Sequence, residues 1–192
     1  ATSYLKVSLT KISINNFRCF KNVDLQLSPG INFFFGKNGS GKTSILESVF
    51  IFSSGKSFKS SNLASLVNYE NDKFTLKAFD NFKGYIVEIE KNKNKPISVL
   101  LNNKKITTSK LIKEFPCTPI HNNTFSFADA SPDFRRKLLD RSIFISEKSF
   151  SECWFSYYRS LKQRNSLLKN NRISDIYISV SYTHLTLPTS SQ

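Results

Sequence analysis

The residues that could do chemistry by type and spacing form one loop, Gly36-Lys37-Asn38-Gly39-Ser40-Gly41-Lys42-Thr43. The loop fits the phosphate-binding pattern G-x-x-x-x-G-K-[ST] at every fixed position. Its glycines can take positive φ and let the backbone close around an anion. Lys42 is predicted to reach the β- and γ-phosphates of a nucleotide, and the Thr43 hydroxyl to ligate Mg²⁺. These eight residues are therefore the candidate site for ATP and Mg²⁺.

The stretches on either side of the loop carry the patterns that this motif requires. Residues 31–35 are short, mostly apolar and preceded by Pro29-Gly30, which predicts a buried strand. Residues 43–50 place apolar side chains at helical spacing, and Gly55 is predicted to end that helix. The unpaired N–H groups and partial positive charge of a helix N-terminus favour a polyphosphate.

The composition favours a polyanionic partner. The net charge is +14 and the sequence pI is about 9.8, which is typical of proteins that bind nucleic acid but also follows from a lysine-rich solvated surface. The hydrophobic content of 39% is enough for a core. No apolar run is long enough to span a membrane, and the three cysteines form no C-x-x-C pair. We expect a cytoplasmic protein without a membrane partner.

The remaining patterns predict a β-rich region followed by helices. Residues 9–14 and 23–27 read as an antiparallel strand pair, and residues 74–106 as a β meander with Asn102-Asn103 as a hairpin turn. Glu88 fits a half-exposed strand better than a magnesium-binding acid. Ser131-Pro132-Asp133 predicts a helix start, and a longer, arm-like helix is expected from about residue 147.

The predicted domains are residues 1–146 as part of a nucleotide-binding head, residues 147–178 as the start of a helical arm, and residues 179–192 as a non-native tail. The tail resembles the translation of a transposon-end adapter used in sequencing libraries, so it is excluded from fold reasoning. Since the chain contains no Met, we also expect it to be incomplete.

Several ordered stretches resemble one family. They are Ser8-Leu9-Thr10-Lys11, Asn16-Phe17-Arg18, Leu27-Ser28-Pro29-Gly30, the loop itself, Gly55-Lys56-Ser57-Phe58-Lys59, Phe134-Arg135-Arg136-Lys137-Leu138-Leu139-Asp140 and Leu161-Lys162-Gln163-Arg164-Asn165. Over roughly residues 7–175 the chain is similar to the RecF family, the bacterial recombination and gap-repair ATPases of the SMC/Rad50-like group. It departs from the family pattern at residues 119–125 and 130–132.

The resemblance implies an α/β fold, a P-loop NTPase head of the ABC/SMC type with a mixed sheet that contains an antiparallel meander, and a short helical arm. It implies ATP binding, an ATP-dependent homodimer, DNA binding at single-strand/duplex gap junctions and work with RecO and RecR in recombinase loading and the SOS response. Lys56 and Lys59, just beyond the nucleotide helix, are candidate DNA contacts; they fit a solvated surface equally well.

The alternatives are the nucleotide-binding subunit of an ABC transporter and a small P-loop kinase. The family's signature motif and magnesium-binding acidic strand lie in a C-terminal half that this chain lacks, and no glycine follows Gly84. We therefore expect no ATP turnover by this chain. We also expect poor solubility, because the strand at residues 31–35 would lack sheet partners.

Overall fold

The structure is a computed structural model that describes residues 9–120, 131–147 and 149–169. The chain divides into two compact units, residues 1–126 and 127–192. The elements of the first unit, in chain order, are β1 (Leu9–Phe17), β2 (Phe20–Gln26), α1 (Lys42–Ser54), a 3₁₀ helix (Leu63–Leu66), β3 (Lys73–Asp80), β4 (Tyr85–Asn92), β5 (Ser98–Leu101), β6 (Lys104–Lys105) and α2 (Thr108–Glu114). The predicted division between head and arm at residue 146 stays a prediction.

The strands described in the first unit form one six-stranded sheet in the order β2-β1-β3-β4-β5-β6. Every pair between these described strands is antiparallel. Asn102 and Asn103 join β5 to β6 with φ of 47° and 64°, the left-handed values that tight hairpin turns need and that Asn tolerates. The predicted strand pair, meander and hairpin turn are confirmed, as is the α/β fold class.

One face of this sheet is buried beneath α1. Alternate residues of β3, among them Phe74 and Leu76, are fully buried because successive side chains of a strand point to opposite faces. Ile51 and Phe52 of α1 belong to the same hydrophobic core. Burying a side chain of this size contributes about 1.5–3 kcal/mol to folding. The core therefore fixes α1, and the loop before it, against the sheet.

The other face of the sheet carries charged pairs. The Glu88 carboxylate lies 3.0 Å from Lys77 Nζ on the neighbouring strand, and its side chain is 27% exposed. The described residues contain no group of three or more His, Cys, Asp or Glu side chains that could hold a metal ion. The prediction that Glu88 is a half-exposed strand residue is confirmed.

The prediction of a buried strand at residues 31–35 is wrong. These residues form no strand, and the exposed fractions of Ile31, Phe33 and Phe35 are 78%, 84% and 94%. A strand is stabilised by backbone hydrogen bonds to a neighbour, and no described strand pairs with this segment. Apolar residues are therefore presented to solvent directly before the phosphate loop.

The described part of the second unit contains two helices, α3 (Pro132–Ser146) and α4 (Phe150–Lys169). Ser131 caps α3 by accepting the Phe134 N–H at 3.4 Å, as its position before Pro132 predicts. The rings of Phe144 and Trp154 meet edge to face at 6.1 Å and join the two helices. No described helix combines the length and apolar character needed to cross a membrane. The predicted tail at residues 179–192 lies outside the described residues.

Candidate phosphate-binding site

The eight predicted site residues form one continuous segment that enters the first turn of α1. The Ser40 N–H donates to the Lys37 carbonyl oxygen at 3.2 Å, which makes a tight turn in the middle of the segment. The Ile45 N–H then donates to the Gly41 carbonyl oxygen at 3.0 Å and begins the helix. Residues 36–40 and Thr43 are exposed, so the loop is accessible to a ligand.

Glycine is required in this loop for two separate reasons. Gly36, Gly39 and Gly41 have φ of 150°, 81° and 91°, which side chains rarely tolerate. At Gly41 there is also no room, because an added Cβ would lie 2.3 Å from Cζ of Phe20. The first residue of β2 therefore packs directly against the end of the loop. At Gly39 an added Cβ would meet no atom within 4 Å, so only the backbone conformation selects glycine there.

Lys42 spans the loop with its side chain. Its Nζ donates to the carbonyl oxygens of Gly36 and Lys37, each at 2.8 Å. An ammonium group has three protons and no lone pair, so it can bind carbonyl oxygens or the oxygens of an anion. Phosphate oxygens are the stronger acceptors because they are charged. The Lys42 ammonium could therefore exchange these loop carbonyls for phosphate oxygens.

The N-terminus of α1 is open. Gly41 precedes it and provides no side-chain cap, and the first turn contains no acidic residue. The first N–H groups of a helix have no intrahelical acceptor, and the helix dipole adds roughly half a positive charge there. Thr43 lies in this first turn with an exposed side chain, suited to a metal ion held jointly with phosphate oxygens. These features fit a magnesium-bound polyphosphate.

A buried charge cluster on α1 was not predicted from the sequence. Glu47 is fully buried, and Arg18 from the β1–β2 turn contacts it through two hydrogen bonds: Nε to Oε2 and Nη2 to Oε1, both at 2.8 Å. These bonds raise the pKa of the Arg18 guanidinium above its usual value, although burial opposes them. The helical spacing could have predicted that Glu47 is buried, because it precedes Ile51 by one helical turn and therefore lies on the same face of α1.

The turn that carries Arg18 is held by its backbone as well as by its side chain. Arg18 has φ of 54°, its N–H donates to the Leu66 carbonyl oxygen at 2.7 Å, and its own carbonyl accepts Nδ2 of Asn68 at 3.0 Å. Arg18 and Phe20 flank Cys19 in the sequence. Arg18 contacts Glu47 of α1, and Phe20 packs against the phosphate loop at Gly41. The β1–β2 hairpin is therefore the element that supports the site from the sheet.

The two lysines predicted to contact DNA follow α1. Gly55 ends the helix with φ of 62°, and its N–H donates to the Ile51 carbonyl oxygen at 2.8 Å. Lys56 and Lys59 come next and are both exposed. The predicted helix stop is confirmed, whereas the role of the two lysines stays a prediction.

Comparison with known proteins defines the class to which this fold and loop belong. The profile of a protein family described as "AAA domain" matches residues 11–178. The chain therefore belongs to this AAA-domain family. A solved Smc head domain with an extended coiled coil, from Pyrococcus furiosus, has a TM-score of 0.59 at 18% identity and covers 92% of this chain and 53% of that one. This structural similarity shows that the chain and the Smc head domain share a fold.

Within this class the relatives are RecF proteins, which confirms the resemblance found in the sequence. The chain is 38% identical over 171 residues to the DNA replication and repair protein RecF of Glaesserella parasuis serovar 5 (strain SH0165), covering 86% of this chain and 47% of that protein. The solved structure of the recombination mediator protein RecF-ATP in the RecFOR pathway has a TM-score of 0.81 at 25% identity, covering 95% of this chain and 52% of that one. The chain thus spans about half the length of the curated relatives it matches.

Proposed function

We propose that this chain binds ATP with Mg²⁺ at residues 36–43 and acts as a DNA replication and repair protein of the RecF type. The observation that carries the proposal is Lys42 Nζ, held 2.8 Å from two loop carbonyls beside an uncapped helix N-terminus. Backbone N–H groups of the loop would hold the phosphates. Lys42 would contact the β- and γ-phosphates, and Thr43 would ligate Mg²⁺, which neutralises phosphate charge.

Calorimetric titration of ATP with Mg²⁺ tests this site. Lys42→Ala removes a charged hydrogen-bond donor worth about 1.5–3 kcal/mol, so we expect the affinity to fall by roughly ten- to a hundredfold. Lys73→Ala is the matched control, because Lys73 pairs with Glu90 on the sheet, and it should bind ATP like the wild type. Equal ATP affinity in Lys42→Ala and wild type would contradict the proposal.

We further propose that DNA with single-strand/duplex gap junctions is the partner, with RecO and RecR as associated proteins and an ATP-dependent homodimer as the active form. The net charge of +14 supports a nucleic-acid partner, and a similar solved protein is described as a recombination mediator in the RecFOR pathway. Fluorescence anisotropy with gapped and blunt duplex DNA, at two salt concentrations with ATP, should show tighter binding to gapped DNA. That affinity should fall steeply with salt as counterions are released. Equal binding to both would contradict gap recognition.

We expect no phosphate release by this chain alone. Phosphoryl transfer needs metal ligands and a group that positions the attacking water, and the chain spans about half the length of the curated relatives it matches. An assay of phosphate release with Lys42→Ala as the blank measures this directly. Release that disappears in Lys42→Ala would overturn the expectation.

A further inference from the structure

The loop that follows α1 is ordered around one hydroxyl group. Ser57 Oγ donates to Oε1 of Glu47 and accepts the N–H groups of Lys59 at 2.9 Å and Ser60 at 3.0 Å. A serine hydroxyl has one proton and two lone pairs, so these three bonds use its full capacity. The shape of residues 57–60 therefore depends on a carboxylate outside the loop.

That carboxylate belongs to the helix that begins at the phosphate loop. Glu47 lies on α1, little more than one turn beyond Lys42, and is fully buried. Its two oxygens are also bound by Arg18, which keeps the carboxylate in one position. Hydrogen bonds to an ionised acceptor are roughly twice as strong as neutral ones. The loop is thus anchored to α1 by a charged, desolvated contact.

Two exposed lysines belong to this region: Lys59 lies within the anchored residues 57–60, and Lys56 directly precedes them. Ser54 Oγ accepts the Lys56 N–H at 3.1 Å, and Ser57 Oγ accepts that of Lys59, so a serine hydroxyl fixes the backbone of each. Among the residues that the structure describes, neither lysine is paired with a carboxylate. Three lysines of β1 and β3 differ, since Lys11, Lys73 and Lys77 are paired with Asp24, Glu90 and Glu88. The backbone of this loop is fixed while its ammonium groups remain available to an external anion.

We propose that Glu47 and Ser57 are positioning residues that hold Lys59, beside Lys56, for contact with the phosphate backbone of nucleic acid. This inference rests on the proposed DNA-binding function and adds which residues fix the contact. A lysine is a compact point charge that binds phosphate without base specificity.

A double-mutant cycle tests the proposal, using protein produced from its complete coding sequence and fluorescein-labelled gapped DNA at two salt concentrations. Lys56→Ala/Lys59→Ala should reduce the slope of log affinity against log salt by about 2, the value for two lost phosphate contacts. Ser57→Ala should lower DNA affinity by roughly three- to tenfold, as the loss of one hydrogen bond allows. Ser57→Thr, which keeps the hydroxyl, should restore it.

The combined variant separates positioning from general stability. Ser57→Ala should have no further effect when both lysines are already absent, because its effect acts through them. Glu47→Gln is the second variant, since it keeps an acceptor without charge and should lose part of the affinity. ATP affinity, measured in parallel, should change less than twofold in Ser57→Ala.

Three results would overturn the inference: unchanged DNA affinity in Ser57→Ala, an equal loss with and without the two lysines, or a matching loss of ATP affinity. Absence of DNA binding by the wild type is a different result. It would refute the DNA part of the proposed function, and the inference with it, whereas the three results above leave the proposed function intact.

Discussion

The phosphate loop leads into α1, and the Arg18–Glu47–Ser57 cluster is centred on Glu47 of the same helix, but the polar groups of the two regions differ in how they are paired. At the loop, the first N–H groups of α1 have no side-chain cap, and within the described part of the chain the Lys42 ammonium is bound only by neutral carbonyl oxygens. At Glu47 the charge is fully buried, and both carboxylate oxygens have protein donors. Polar groups left open at a helix end therefore suit a ligand, whereas fully paired ones anchor the fold.

The largest effect should come from breaking the closed cluster. Glu47→Ala leaves Arg18 without its carboxylate and Ser57 without its acceptor, and removing one partner of a buried pair costs about 3–5 kcal/mol. Because the Arg18 side chain is 31% exposed, we expect a value near the lower end of that range. Urea denaturation followed by circular dichroism measures the free energy of unfolding.

The control for this variant is Arg18→Ala/Glu47→Ala. The double variant should lose less stability than the sum of its two single variants, since the pair is lost only once. Strictly additive losses would show that the contact contributes no coupling, and the cluster would then not be the anchor described above.

Alanine substitutions at two glycines of the phosphate loop should lower the free energy of unfolding by smaller amounts, and by different amounts at the two positions. Gly41→Ala combines a left-handed φ of 91° with a Cβ 2.3 Å from Phe20, so we expect a loss of about 2–3 kcal/mol of unfolding free energy. Gly39→Ala has a similar φ of 81° with open space around it, so we expect only the conformational cost, about 1 kcal/mol. Thermal and urea unfolding of both variants measures the difference.

Phe20→Ala in the Gly41→Ala background is the check on this explanation. Removing the ring should recover part of the stability that Gly41→Ala loses. If the two glycine variants are equally stable, the packing of β2 against the loop does not constrain it.

The smallest effect on stability should come from the exposed apolar segment before the loop. Phe33→Ser changes a side chain that is 84% exposed, so the free energy of unfolding should change by less than about 0.5 kcal/mol. Solubility, measured by light scattering at rising protein concentration, should improve because an exposed apolar patch favours association. A loss of several kcal/mol would show that Phe33 is buried in solution.

The parts of the fold that sequence predicted well depend on local chemistry. Gly55 ends α1 because it adopts a left-handed conformation, and Asn102-Asn103 forms a hairpin turn for the same reason. The alternation in β3 and β4 likewise identifies strands without knowledge of their neighbours. The pairing of β1 with β3, which sets Ile14 opposite Leu76, joins distant parts of the chain and has no local signal.

The same limit applies to the candidate site. The residue types and spacing of residues 36–43 identified the loop, because the phosphate chemistry is local to it. Residues 31–35 were predicted to be buried from their hydrophobicity, but burial depends on a partner strand that a local pattern cannot supply. The Glu47 contact was missed because Arg18 and Ser57 reach it from other segments of the chain.

Amide chemical shifts provide the most direct test of the central claim, that a polyphosphate binds in the bend before α1. In a ¹⁵N-labelled sample titrated with ATP and Mg²⁺, we predict that the largest shifts occur at Gly39, Gly41, Lys42 and Thr43 and disappear in Lys42→Ala. Shifts confined to residues away from this loop, or equal shifts in Lys42→Ala, would contradict the account.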